Sequence, residues 1–218
     1  MCEDFASHGE RAASGSSEPS IAPFSEVVTF HGHFCGGITL GYIAAKIAIK
    51  ELRSGRDVDE QLVAIVENDA CGIDAVQMVT GCTIGKGNLI FRDYGKQVYT
   101  FINRETNDAV RISAKGWNHD ENPLLESLRS KFREGTATPE EVMTMQKLVQ
   151  EGIERMLEEP PEKFFDIRHV KAEIPEKARI FNSVKCAKCG EMVAESRARV
   201  QNGGIVCIPC FEEYSRGW

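Results

Sequence analysis

Two cysteine pairs near the C-terminal end constrain this chain more than any other feature. Cys186-Ala-Lys-Cys189 and Cys207-Ile-Pro-Cys210 are separated by the 17 residues Gly190–Val206. Each CxxC is a short turn that points two sulfurs at one spot, and two such turns at this spacing form the ligand pattern of a four-cysteine zinc ribbon or treble clef. Gly190 follows the first pair directly, where the knuckle needs a residue free to take positive φ. Asn202-Gly203-Gly204 supplies the reversal that brings the second pair back. Cys186, Cys189, Cys207 and Cys210 are therefore read as a closed, structural zinc site that folds a small module over residues 173–218. Such a site says nothing by itself about activity.

The rest of the chain is long enough for one ordinary core. Of 218 residues, 42% are hydrophobic and 27% charged, with a net charge of −7. That acidity argues against broad nucleic-acid binding, which wants a basic face, although Lys185, Lys188, Arg197, Arg199 and Arg216 make the zinc module locally basic. The other cysteines, Cys2, Cys35, Cys71 and Cys82, lie far apart and show no disulfide-framework spacing. With no apolar leader at the start and no apolar run near the ~20 residues of a membrane span, the expected setting is the reducing cytoplasm, away from membranes.

Residues 1–22 are rich in Ser, Ala and Gly and are expected to be poorly ordered, with structure beginning near Pro23-Phe24. Apolar residues at helical spacing predict a buried helix from Gly36 to Leu52, and Leu62–Val66 reads as a strand ending in the polar turn Glu67-Asn68-Asp69. A short helix over Ile73–Val79, closed by Gly81, precedes an expected meander of Leu89–Arg92, Val98–Arg104 and Val110–Ala114. A helical extension over about 121–159 holds two helices. The second opens on the capping box Thr138-Pro139-Glu140-Glu141 and stops at Pro160-Pro161. Phe164–Ile167 offers one more strand, and Pro175 marks the linker into the zinc module. This order predicts an α+β core over 23–172, a mainly antiparallel sheet with packed helices, plus the small four-cysteine module.

A second chemical centre lies in Phe30-His31-Gly32-His33-Phe34-Cys35-Gly36-Gly37. Read as an extended segment, it places His31, His33 and Cys35 on one face, immediately before a glycine-rich helix start. Free N–H groups and the helix dipole favour a Cys35 thiolate there, and thiolate with neutral imidazole suits zinc or a similar divalent metal. Cys71, at a strand end, is a further ligand or catalytic thiol if the sheet folds it back onto that helix. His33, Cys35 and Cys71 would then leave a coordination position open. Asp69, Asp74 and Gln77 are nearby candidates for proton transfer or for hydrogen bonds behind the ligands. The run Gly81-Cys82-Thr83-Ile84-Gly85-Lys86-Gly87-Asn88 fails as a phosphate loop on its glycine spacing and has no Ser/Thr after Lys86; Lys86 is kept as a substrate-facing charge.

These three stretches together resemble the formylmethanofuran dehydrogenase E-subunit family. The motifs are Phe30–Cys35, Cys71-Gly72-Ile73-Asp74-Ala75-Val76-Gln77 and Gly81–Leu89, and the resemblance covers residues 24–172. Gly36 stands where the family often has proline. The resemblance implies an α+β core, a cytoplasmic homodimer, a metal-binding cleft at the His/Cys motifs, and association with a larger molybdenum- or tungsten-pterin enzyme complex. Nothing in the chain suits the pterin-binding catalytic subunit itself. Two functions stay open: a metal-dependent enzyme or enzyme subunit acting on an unidentified small molecule, and a non-catalytic zinc-dependent scaffold, metal sensor or regulatory partner. A DNA-binding regulator is disfavoured by the acidic charge.

Overall fold

The computed structural model describes residues 21–116 and 122–217, so the expectation for residues 1–22 lies almost wholly outside the described residues. The chain divides into two compact units between Glu176 and Lys177. In the first, helix α1 (Phe24–His31) leads into α2 (Gly36–Glu51), strand β1 (Leu62–Val66), helix α3 (Gly72–Thr80) and strands β2 (Leu89–Phe91), β3 (Val98–Asn103) and β4 (Ala109–Ala114). Helices α4 (Pro123–Arg133) and α5 (Pro139–Glu158) and strand β5 (Phe165–Val170) complete it.

One sheet organises this unit, in the order β2-β1-β3-β4-β5. All pairings are antiparallel except β1 with β2, which run parallel with Ala64 opposite Leu89. The sheet is therefore mainly antiparallel, as expected, but the expected meander is not. β1 is inserted between β2 and β3, and α3 makes the crossover that a parallel pair requires. Burial explains the placement. Leu62, Ala64 and Val66 face the helices, while Val63 and Ile65 pack with Ile102 and Ala109 on the other face, where Ala172 and Ile174 also lie. A strand apolar on both faces belongs at the sheet's interior.

α2 is the central helix. Ile38, Ala44, Ala45 and Ala48 are wholly buried, and most of its length lies in the main core with Tyr99, Phe101, Val110 and Ile112 of the sheet. The predicted capping box is present at α5: Thr138 Oγ1 accepts from the Glu141 N–H at 3.2 Å, and Glu141 accepts from the Thr138 N–H at 2.9 Å. α4 and α5 pack on each other through Leu125, Leu128 and Ile153, and Met156 joins α5 to the main core.

The second unit contains two hairpins, β6 (Ser183–Lys185) with β7 (Met192–Ala194) and β8 (Arg199–Gln201) with β9 (Gly204–Val206). Asn202 and Gly203 take φ of 51° and 77°, the pair of positive angles that a tight two-residue hairpin turn demands. No helix among the described residues is long and apolar enough to cross a membrane.

Candidate metal centre

His31, His33 and Cys35 do not lie on an extended segment. His31 is the last residue of α1, and Gly32 caps that helix in the left-handed region (φ 94°), donating its N–H to the Val28 carbonyl at 2.8 Å. The reversal turns the chain so that the His31 and His33 rings stack with centroids 4.4 Å apart. Cys35 then serves as N-cap of α2, its sulfur accepting the Ile38 N–H at 3.5 Å.

Cys71 occupies the same position on α3. The two helix starts meet because α2 and α3 cross at glycines. A Cβ on Gly41 would collide with the Gly72 carbonyl, and one on Gly72 would stand 2.6 Å from the Tyr99 hydroxyl. Gly37 leaves room for the cysteines themselves, since a Cβ there would lie 3.1 Å from Cys71 Cβ and 3.8 Å from Cys35 Sγ. One ligand atom from each of His31, His33, Cys35 and Cys71 therefore falls within 4.8 Å of the others. Two thiols and two imidazoles at two helix N-termini are the donors that zinc and similar metals take. Burial, and then the neighbouring Cys35, push the Cys71 thiol above its ordinary value; a divalent cation between the two sulfurs would offset both effects.

The histidine is held from behind. His31 Nδ1 lies 2.7 Å from Asp74 Oδ2, and Gln77 Nε2 donates to Asp74 Oδ1 at 3.5 Å. With the proton on Nδ1 donated to the carboxylate, the lone pair of Nε2 points toward Cys35 Sγ, 4.0 Å away. Beside this set opens a cleft of about 470 Å³ whose walls include His31, Cys71, Asn68, Asp69, Asp74 and Gln77. The Asp69 carboxylate is exposed and lines the cleft.

Two residues singled out from the sequence lie apart. Lys86 donates to the buried carboxylate of Asp57 at 2.9 Å and is not among the cleft's lining residues; Asn88 donates to the same oxygen at 2.8 Å. Cys82 is fully buried, donates its thiol to the Leu62 carbonyl at 3.4 Å, and burial pushes its pKa up to about 12. Sequence reasoning also missed Asn68. Its Nδ2 donates to the Lys96 carbonyl at 2.8 Å, and its Oδ1 accepts the Ala70 N–H at 3.1 Å, shaping the loop that presents Asp69 and Cys71. That second bond is an Asx turn, the one local signal by which Asn68 could have been found.

At the second cluster, Cys186, Cys189, Cys207 and Cys210 also bring their sulfurs within 4.8 Å of one another. Gly190 takes φ 78° and returns its N–H to the Cys186 carbonyl at 3.0 Å, as the knuckle reading requires. Hydrogen bonds to backbone, those at Cys189 and Cys207 first, lower the Cys186 thiol to about 6, while the Cys207 and Cys189 thiols push Cys210 up to about 12. Such crowding of sulfurs fits a cation at their centre.

Comparison with known proteins bears on both units. A family described as FmdE, molybdenum formylmethanofuran dehydrogenase operon, matches residues 30–166, from just before His31 into β5. The chain belongs to the FmdE family. Residues 179–216 match the prokaryotic dksA/traR C4-type zinc finger, which makes the C-terminal four-cysteine site a zinc site. A crystal structure of an FmdE-like protein of tungsten formylmethanofuran dehydrogenase, from Syntrophus aciditrophicus, shares the fold. It has a TM-score of 0.56 and 22% identity, covering 89% of this chain and 96% of that one. A probable S-adenosyl-L-methionine-binding protein of Archaeoglobus fulgidus is 32% identical over 192 residues, 85% of this chain and 51% of that protein. The chain thus spans about half the length of that curated relative.

Proposed function

We propose that this FmdE-family protein holds a divalent metal, zinc in the first instance, on His31, His33, Cys35 and Cys71 and presents it to a small molecule in the adjoining cleft. One observation carries the reading: His31 and Cys71 belong both to the donor set and to the wall of the cleft. A purely structural site, like the four-cysteine cluster, has no need to open on a cavity. A small-molecule role accords with the Archaeoglobus fulgidus relative, which is named for binding S-adenosyl-L-methionine.

Zinc bound at such a site supplies Lewis acidity. The protein's own groups do the rest. Asp74, steadied by Gln77, keeps the His31 proton on Nδ1 and the ring in one orientation. Asp69 places a carboxylate in the cleft that can hold or pass a proton. His33 is the exposed member of the donor set and therefore the ligand most readily exchanged for an incoming group. The expected homodimer and larger enzyme complex belong to the same proposal and are read out by size-exclusion chromatography and pull-down.

A second reading, a non-catalytic metal sensor or scaffold, draws support from the number of donors, since four protein ligands complete a tetrahedral shell. Metal content by mass spectrometry on the wild type and on a Cys35→Ala/Cys71→Ala variant tests the common premise. Two metals per chain falling to one is the expected result; one metal in both proteins defeats the proposal. Cobalt substitution then separates the readings, because a visible spectrum that shifts on adding a small thiol requires an exchangeable position.

A further inference from the structure

We infer that the cleft beside the His/Cys donors takes a small organic cation carrying an apolar body; this rests on the metal-and-cleft reading above. Charge is the first reason. The lining includes two carboxylates, Asp69 and Asp74, and neither Lys nor Arg. Asp74 is bonded to His31 and Gln77, and neither neutralises it when His31 is the Nδ1–H tautomer. Asp69 has no hydrogen-bond or ion-pair partner among the described residues. A divalent ion on two thiolates and two neutral imidazoles has no formal charge left over, so the field in the cleft is negative even with the metal bound.

Basic groups from the surrounding elements are directed elsewhere. Arg111 pairs with Glu67 at 3.0 Å, Lys86 pairs with Asp57, Arg56 Nε donates to the Met78 carbonyl, and the Lys96 ammonium stands 5.8 Å from the Tyr94 ring centroid. Arg92, next to Phe91, is exposed and lies outside the lining. An anionic ligand would enter against two uncompensated carboxylates and find no counter-charge on the walls.

The apolar half of the ligand is dictated by the opposite wall. Val66, Ile73, Ile84, Leu89 and Phe91 line it, and Ile84 and Phe91 are 69% and 47% exposed. Two large apolar side chains left uncovered next to unpartnered charge give a surface that an amphipathic cation satisfies at both ends.

Calorimetric titration of the metal-loaded full chain at pH 7 with three probes sharing one ring tests this: 2-phenylethylammonium, 2-phenylethanol and 3-phenylpropionate. The expected order puts the ammonium about tenfold or more ahead of the alcohol, with the carboxylate weakest, a difference of about 1.4 kcal/mol per tenfold. Asp69→Asn should lower ammonium affinity several-fold and leave the alcohol unchanged, while Asp108→Asn on the β3–β4 turn alters neither. A carboxylate that binds tightest, three equal affinities, no binding by any probe, or an Asp69→Asn variant that behaves as wild type each overturns the inference. Metal content measured on the same samples keeps the two claims apart: two metals per chain without cation preference sinks the ligand class alone, and one metal per chain sinks the site.

Discussion

At the scale of single residues, the most consequential contact is the 2.7 Å bond between His31 and Asp74. A carboxylate behind a ligating histidine fixes its tautomer and raises its basicity, and loss of such a partner costs about 10–100-fold in metal affinity. Asp74→Asn should therefore weaken metal retention at the N-terminal site by that order in a chelator competition, with the four-cysteine site unaffected. Cys82 makes the opposite case. By sequence alone its thiol is a candidate ligand, but the fold buries it and raises its pKa from 9.0 to about 12. The folded state thus favours the neutral thiol. That contribution to stability is full below about pH 9 and is lost as the pH rises toward 12. Cys82 should resist alkylation at pH 8 until the protein is unfolded, whereas metal-stripped Cys35 and Cys71 react; labelling of Cys82 in the folded protein would contradict its placement.

Between elements, the decisive event is the crossing of α2 and α3 at Gly41 and Gly72. It brings two N-caps, Cys35 and Cys71, to one point, and any side chain at Gly41 must push the Gly72 backbone away. Gly41→Ala is expected to cost about 1–3 kcal/mol by overpacking and to loosen the N-terminal metal site as well. Urea unfolding and metal titration on the same variant measure both; an unchanged midpoint would argue against the close crossing. The elements themselves are largely legible in the sequence. α2, α3, α5 with its capping box, β1 and β5 all announce themselves by period, cap or breaker. α1 does not, because Phe24–His31 overlaps the metal motif, whose alternating ligands suggest an extended segment. The Gly32 reversal that stacks His31 on His33 is a C-cap, which becomes visible only once the preceding residues are known to be helical.

Considered whole, the molecule is two units stabilised by different means. The first has a large apolar core, while the second has a cluster of only Cys186, Val206 and Cys207 as its buried residues. So small a core cannot offset the entropy of ordering its residues without metal. A strong chelator should abolish amide protection across Lys177–Gly217 while β1, β3 and α2 stay protected, as read by hydrogen exchange; cooperative loss of both units would show that they are not separately stabilised. What the sequence determined by itself was whatever is encoded over short spans: the zinc knuckles, the helix caps, the apolar periods, and the residue types of both metal clusters. Only the tertiary structure decided that β1 lies inside the sheet with β2 parallel to it, that His31 joins Cys71 at the edge of a cleft, and that Lys86 and Cys82 are spent elsewhere. Those outcomes depend on contacts between residues 20 to 43 positions apart. No local propensity sets them; they follow from which apolar faces are buried together.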